Sequence, residues 1–107
     1  MQRAVVISLD EFEKVWSDEA RQASLEARLR AHGIQADSHH ILSQHAEQEG
    51  HTQGALSHMR AAVAHDDAAD ATQHALSNPD SKPAQDAADR AWKNSINRSE
   101  SALSVYR

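Results

Sequence analysis

Residues 38–77 read SHHILSQHAEQEGHTQGALSHMRAAVAHDDAADATQHALS, and this stretch decides the fold. It contains seven of the eight histidines of the 107-residue chain and a single basic residue, Arg60. Apolar side chains recur in it at helical spacing, with Leu42, Leu56 and Val63 at one position of a seven-residue repeat. The pattern predicts one long helix or two stacked helices.

Two glycines interrupt this helical pattern. Gly50 and Gly54 each cost about 1 kcal/mol relative to alanine in a helix interior. The apolar repeat is also weakest here, because Glu49 occupies its position between Leu42 and Leu56. We therefore expect a kink, a short loop or a frayed turn near residues 49–54.

The composition indicates an all-α protein. Three glycines and two prolines leave few obligatory turns, and good helix formers such as Ala, Gln, Glu and Arg are plentiful. The prediction is one helical domain over residues 1–107, folded as a small antiparallel bundle or helical hairpin of three to four helices. Residues 3–8, RAVVIS, are β-branched and apolar, and they predict either one short N-terminal strand or an extended arm.

Local signals predict the helix boundaries. A capping box starts a first helix, a Schellman ending closes the second at Gly33, and proline marks the beginning of the last. In chain order, the predicted helices run from Leu9 to about Trp16, from Asp18 to about Ala31, from a cap at Asp37 or Ser38 up to Asn78-Pro79, and from Pro83 to about Val105.

The hydrophobic core is predicted to be thin. Apolar residues make up 39% of the chain, many of them alanine, and aromatic residues 4%. Such a chain favours oligomerisation or a protein partner to finish burying its apolar surface. The candidate partner-binding residues are Val5, Ile7, Trp16, Met59, Trp92 and Tyr106. Ordinary core packing is the alternative for each, and Trp92, Ile96 and Leu103 also fit the core face of the last helix.

Three histidines, His51, His58 and His65, recur every seven residues. In the repeat defined above they lie off the apolar seam, which predicts that they face solvent or a partner. One interpretation is a plain polar helix face. The other is a metal-binding or pH-responsive surface, because histidine titrates near neutrality and binds metals. On the second interpretation, these three residues are the candidate metal ligands.

Charge and cysteine content narrow the environment of the protein. The net charge is −5, and residues 35–81 alone carry −6, which argues against that segment lying on nucleic acid. The chain has no cysteine, no secretory signal pattern and no apolar run long enough to span a membrane. We therefore expect a cytoplasmic protein, in a bacterium or a phage-infected host, without membrane contact.

Enzyme motifs are missing from the sequence. It contains no HExxH, GxSxG, GxGxxG or Walker pattern, and the paired carboxylates Asp66 and Asp67 lie in an Ala-rich helix with little to desolvate them. We therefore expect a protein that is not an enzyme and that needs no cofactor.

Two stretches resemble known families. Residues 4–15, AVVISLDEFEKV, resemble the strand-to-helix segment of Phd/YefM-type antitoxins, which implies toxin binding. In that family a DNA-binding half precedes this segment, whereas the present sequence starts at it. The His and Ala spacing of residues 45–76 is similar to Ala- and His-rich helical repeat proteins of bacteria.

The sequence leaves three functions open. The first is a non-enzymatic protein that binds a protein partner or itself through helix faces, such as a phage or mobile-element accessory factor that inhibits a host complex or forms part of a virion. The second is a His-rich protein that responds to metal or to pH. The third is an antitoxin-like regulator associated with DNA.

Overall fold

The computed structural model describes residues 9–106, with side chains from residue 21 onwards. It contains three helices, α1 (Leu9–Gln48), α2 (Thr52–Ser77) and α3 (Lys82–Val105), and no strand within the described residues. The all-α prediction is therefore confirmed, with the lower of the two helix numbers. The proposed strand at residues 3–8 lies outside the described residues.

Helix α2 is the centre of the bundle. It packs against α1 on one side and α3 on the other, antiparallel to both. The molecule measures 65 × 30 × 20 Å, and the long dimension is that of α1, whose 40 residues extend about 60 Å at 1.5 Å per residue. Among residues 9–106, no helix is both long enough and apolar enough to cross a membrane.

The turn between α1 and α2 lies where the two glycines predicted a break. Gly50 has φ of +74°, in the left-handed region that favours glycine. His51 then caps α2, because its Nδ1 accepts a hydrogen bond from the amide of Gly54 at 2.9 Å. The expected interruption near residues 49–54 is thus confirmed.

The second turn also follows its sequence signals. Helix α2 ends at Ser77, directly before Asn78-Pro79, because a residue that precedes proline is pushed out of helical geometry. The hydroxyl of Ser81 caps α3 by accepting from the amide of Ala84 at 3.2 Å, and Pro83 occupies the first turn.

The predicted helix end at Gly33 is wrong. Helix α1 runs through it without interruption, and Gly33 does not have a positive φ. The predicted restarts near Asp18 and at Ser38 are wrong for the same reason, and the Ser38 hydroxyl bonds instead to the carbonyl of Ile34 within the helix, at 2.9 Å. One continuous face explains the outcome, since α1 packs on α2 both before and after Gly33, through Leu25, His32, Ala36, His39, Ser43 and Ala46.

The core contains alanine and polar side chains, whereas Trp92, Ile96 and Leu103, which fitted the core face of the last helix, are 37%, 36% and 39% exposed. Within residues 21–106, the buried apolar residues are one leucine, Leu25, and ten alanines. The predicted seam residues Leu56 and Val63 are about half exposed, so that part of the prediction is wrong. Because alanine adds little bulk, α2 packs closely against both neighbours, and the large apolar side chains remain outside.

Candidate functional site

Four histidines are buried between α1 and α2. His32 and His39 lie seven residues apart on α1, and His58 and His65 lie seven residues apart on α2. Because the helices are antiparallel, His32 faces His65, with 3.1 Å between their Nδ1 atoms, and His39 faces His58, with 2.7 Å between theirs. Each of the four side chains is 4% exposed or less.

Helix α3 connects the two histidine pairs. The hydroxyl of Ser99 lies 2.9 Å from Nε2 of His39 and 2.6 Å from Nε2 of His65. The backbone carbonyl of Tyr106, the residue that caps α3, lies 2.6 Å from Nε2 of His58. The four rings, the Ser99 hydroxyl and the Tyr106 carbonyl, here called the histidine cluster, therefore join all three helices.

The rings of the histidine cluster also stack on one another. The ring of His39 is stacked on those of His58 and His65, at centroid distances of 5.0 and 5.7 Å, and His32 is tilted against His65 at 5.3 Å. The ring of Tyr106 meets that of His58 edge-on at 5.9 Å. Aromatic contacts of this kind add to the burial energy of the rings.

Burial opposes protonation of His32, His39 and His65. The pKa of His39 falls to about 4, mainly because the ring is removed from water and further because His58 and His65 are close. Burial also lowers the pKa of His32, helped by the nearby Arg28 guanidinium. The pKa of His65 is lowered by burial and by His32, against the opposing attraction of Asp66.

The three predicted metal ligands do not share one location. His58 and His65 are buried, which corrects the expectation that they face solvent or a partner, whereas His51 is exposed and caps α2. Their seven-residue spacing places them in successive layers along α2. Within residues 21–106, no group of three or more His, Cys, Asp or Glu side chains is arranged to hold a metal ion.

The predicted partner-binding residues are divided by the structure. Met59 is 42% exposed on the outside of α2. Trp92 is partly exposed on α3 and lies under the Arg28 guanidinium, 4.6 Å from the ring centre. Tyr106 is partly buried, and its hydroxyl donates to the carboxylate of Glu49. Val5 and Ile7 lie outside the described residues, as does the side chain of Trp16.

Sequence reasoning missed three members of the histidine cluster, His32, His39 and Ser99. A signal for the two histidines was present, because they have the same seven-residue spacing as His58 and His65. The repeat defined by Leu42, Leu56 and Val63 predicts that the histidines face outward, because it takes the largest apolar residues to face inward. Ser99 carries no comparable sequence signal.

Comparison with known proteins leaves the chemistry of the site as the guide to function. No protein-family model, no curated protein and no solved structure matches this chain. The groups that the fold gathers here are imidazole nitrogens and a hydroxyl oxygen held within hydrogen-bond distance of one another. Such an arrangement is suited to holding and passing protons.

Proposed function

We propose that this protein works by protein–protein association and not by catalysis, and that its partner is a second copy of the same chain. The observation that supports this proposal is the outer face of α2. Leu56, Met59 and Val63 follow one another there at spacings of three and four residues, and they are 52%, 42% and 49% exposed. Three large apolar residues side by side on one helix form a patch typical of association surfaces.

The composition of the core supports the same proposal. Because alanine and polar side chains fill the interior, burial of apolar area contributes less to folding than a leucine-rich core of the same length would. Placing the α2 patch against a protein surface contributes about 1 kcal/mol for each half-exposed side chain. A twofold dimer counts each of these contributions twice.

The charges around the patch favour a second copy as the partner. Arg60 lies one turn before Val63, and Asp67 lies one turn after it, on the same outer face of α2. If two α2 helices pair antiparallel about Val63, each Arg60 meets the partner's Asp67. A twofold interface requires this kind of self-complementarity, because residue i contacts residue j and j contacts i.

Sedimentation equilibrium tests the association proposal. We expect wild type to form dimers, and Val63→Glu to weaken the dimer about tenfold or more because it buries a charge in the interface. Ile41→Glu is the matched control, since Ile41 is 58% exposed on α1 and lies opposite the face that packs on α2. Arg60→Glu should weaken the dimer, and Arg60→Glu with Asp67→Arg should restore it.

Two results of this experiment contradict the proposal. One is a monomer at every concentration tested. The other is an Ile41→Glu variant that loses association as much as Val63→Glu does. Sequence patterns alone support three other expectations: the phage or mobile-element origin, the cytoplasmic location and the antitoxin-like alternative.

We also propose, as a second function, that the protein responds to acid. The histidine cluster supports it, because four buried rings link the three helices and burial lowers the pKa of three of them, His32, His39 and His65. The stability of the protein measured as a function of pH tests this proposal. It fails if acid down to pH 5 leaves the stability unchanged.

A further inference from the structure

The polarity of the hydrogen bonds in the histidine cluster can be derived from one atom. The carbonyl oxygen of Tyr106 accepts hydrogen bonds and cannot donate, so the Nε2 of His58, 2.6 Å away, must carry the proton. A neutral imidazole has one N–H, and Nδ1 of His58 is therefore bare and accepts from Nδ1–H of His39 at 2.7 Å. This contact assigns the tautomer of His39.

Ser99 of α3 makes the next two contacts, with His39 and with His65. Since His39 has its proton on Nδ1, its Nε2 is bare and accepts from the Ser99 hydroxyl at 2.9 Å. Ser99 has one proton and has donated it, so its oxygen accepts from Nε2–H of His65 at 2.6 Å. The bare Nδ1 of His65 then accepts from Nδ1–H of His32 at 3.1 Å.

The chain of hydrogen bonds ends at His32. Its proton is on Nδ1, so Nε2 is a bare acceptor, and this buried atom has no hydrogen-bond partner among the described residues. The four rings and Ser99 contribute one proton each, and these five protons serve the five contacts. One further proton fits without breaking a contact, and its place is Nε2 of His32.

We propose that His32, His65, Ser99, His39 and His58 form a single directional chain that takes up one proton at Nε2 of His32 and carries the charge to His58. This inference rests on the acid response proposed above and specifies its route. A hydronium ion supplies the proton: one of its O–H bonds breaks, water is released, and an N–H bond forms at Nε2 of His32.

Each later member of the chain passes on one proton. His32 gives its Nδ1 proton to His65, His65 its Nε2 proton to Ser99, and Ser99 its hydroxyl proton to His39. His39 then gives its Nδ1 proton to Nδ1 of His58. All five contacts remain, with four of them reversed, and His58 becomes an imidazolium that donates to His39 and to the Tyr106 carbonyl.

The charged groups around the chain favour this direction of transfer. On α1 the Arg28 guanidinium opposes positive charge on His32, and on α3 Asp89 pairs with that guanidinium at 2.9 Å. On α2 Asp66 attracts charge toward His65. At the other end, the Tyr106 carbonyl lies against His58, and Glu49 accepts from the Tyr106 hydroxyl. The Arg28 guanidinium thus lies at the end where the proton enters, and a carbonyl acceptor lies at the end where the charge comes to rest.

A second proton has no such place. It would set two N–H groups, or an N–H and an O–H, against each other at one of the five contacts and break it. Four of these contacts join different helices, and the fifth joins α2 to the cap of α3. The chain of hydrogen bonds therefore accepts one added proton with all five contacts intact. A second added proton breaks a contact and opens the bundle.

Nitrogen-15 NMR of the whole protein tests this inference directly, because long-range couplings report which imidazole nitrogen carries the proton. At pH 8 we expect Nδ1–H on His32 and His39 and Nε2–H on His58 and His65. On acidification, the tautomers of His32, His65 and His39 should switch together, at the pH where His58 becomes doubly protonated. Any other set of tautomers at pH 8, or a separate midpoint for each ring, overturns the chain.

Ser99 variants supply the internal control. Ser99→Ala removes the link between the two histidine pairs, so His32 and His65 should no longer switch with His39 and His58. Ser99→Thr retains the hydroxyl and should retain the common midpoint, as should Ser101→Ala at an exposed serine of the same helix. If the four rings still titrate together in Ser99→Ala, the proposed chain of hydrogen bonds is wrong.

The chain and the acid response fail in different ways. Separate ring midpoints together with a stability that still falls in acid would leave the acid response standing and remove the chain. A stability that does not change with pH would remove the acid response itself.

Discussion

At the scale of single residues, the two glycines that lie inside helices have opposite environments. A Cβ at Gly54 would lie 2.7 Å from Cβ of Tyr106 and 2.8 Å from Nδ1 of His51, whereas one at Gly33 would meet nothing within 4 Å. We expect Gly54→Ala to destabilise the protein by about 1–3 kcal/mol through overpacking. Gly33→Ala should stabilise it by about 0.5–1 kcal/mol through helix propensity.

Urea unfolding of the two alanine variants checks this prediction. The pair is its own control, because both changes add the same methyl group to a helix. A Gly54→Ala protein as stable as Gly33→Ala would mean that Tyr106 does not pack where it is placed. Local sequence signals predict a helix end at Gly33, and this prediction is wrong because a glycine permits a turn but does not impose one.

At the scale of the helices, the packing depends on alanine. Ala61, Ala62 and Ala68 of α2 are fully buried where α2 packs between α1 and α3. We expect Ala68→Leu to destabilise the protein by about 1–3 kcal/mol, since the added atoms force the helices apart. Ala31→Leu on the exposed side of α1 is the matched control, and its effect should stay within about 0.5 kcal/mol.

Thermal unfolding of these two leucine variants measures the difference. Equal midpoints would show that the bundle accommodates bulk at Ala68 and that the close approach of the helices is not required. A lower unfolding midpoint for Ala68→Leu alone would explain why large apolar side chains occupy the outer faces of the helices.

The two turns between the helices were predictable, whereas the breaks predicted inside α1 and the inward faces of the helices were wrong, and the reason is physical. Gly50, Pro79 and Pro83 restrict or free the backbone wherever they occur, so their effects can be assigned from the sequence. The inward face of a helix depends on what packs against it. On α2 the seven-residue spacing of His58 and His65 marks the buried side, while Leu56 and Val63 with the same spacing mark the outside. The periodicity predicts the seven-residue repeat of α2 correctly, but it assigns the wrong residues of that repeat to the buried side.

At the scale of the whole molecule, the buried histidines couple folding to pH. The pKa of His39 is lowered from 6.5 to about 4 in the folded chain, so the unfolded chain binds more protons between these values. Folding stability therefore rises with pH across this window. The contribution of His39 is fully present above about pH 6.5 and is lost as the pH falls toward about 4. One pKa unit corresponds to about 1.4 kcal/mol, so His39 alone accounts for up to about 3 kcal/mol.

His32 and His65 act in the same direction, because burial lowers the pKa of each. We expect the free energy of unfolding to fall by a few kcal/mol between pH 7 and pH 5, where aspartate and glutamate side chains ordinarily remain ionised. Urea unfolding at half-unit pH intervals measures this slope. His45→Gln, at an exposed position of α1, should keep it, and His39→Gln should reduce it. A free energy of unfolding that is constant or rises toward pH 5 would mean that His32, His39 and His65 are not buried as uncharged groups.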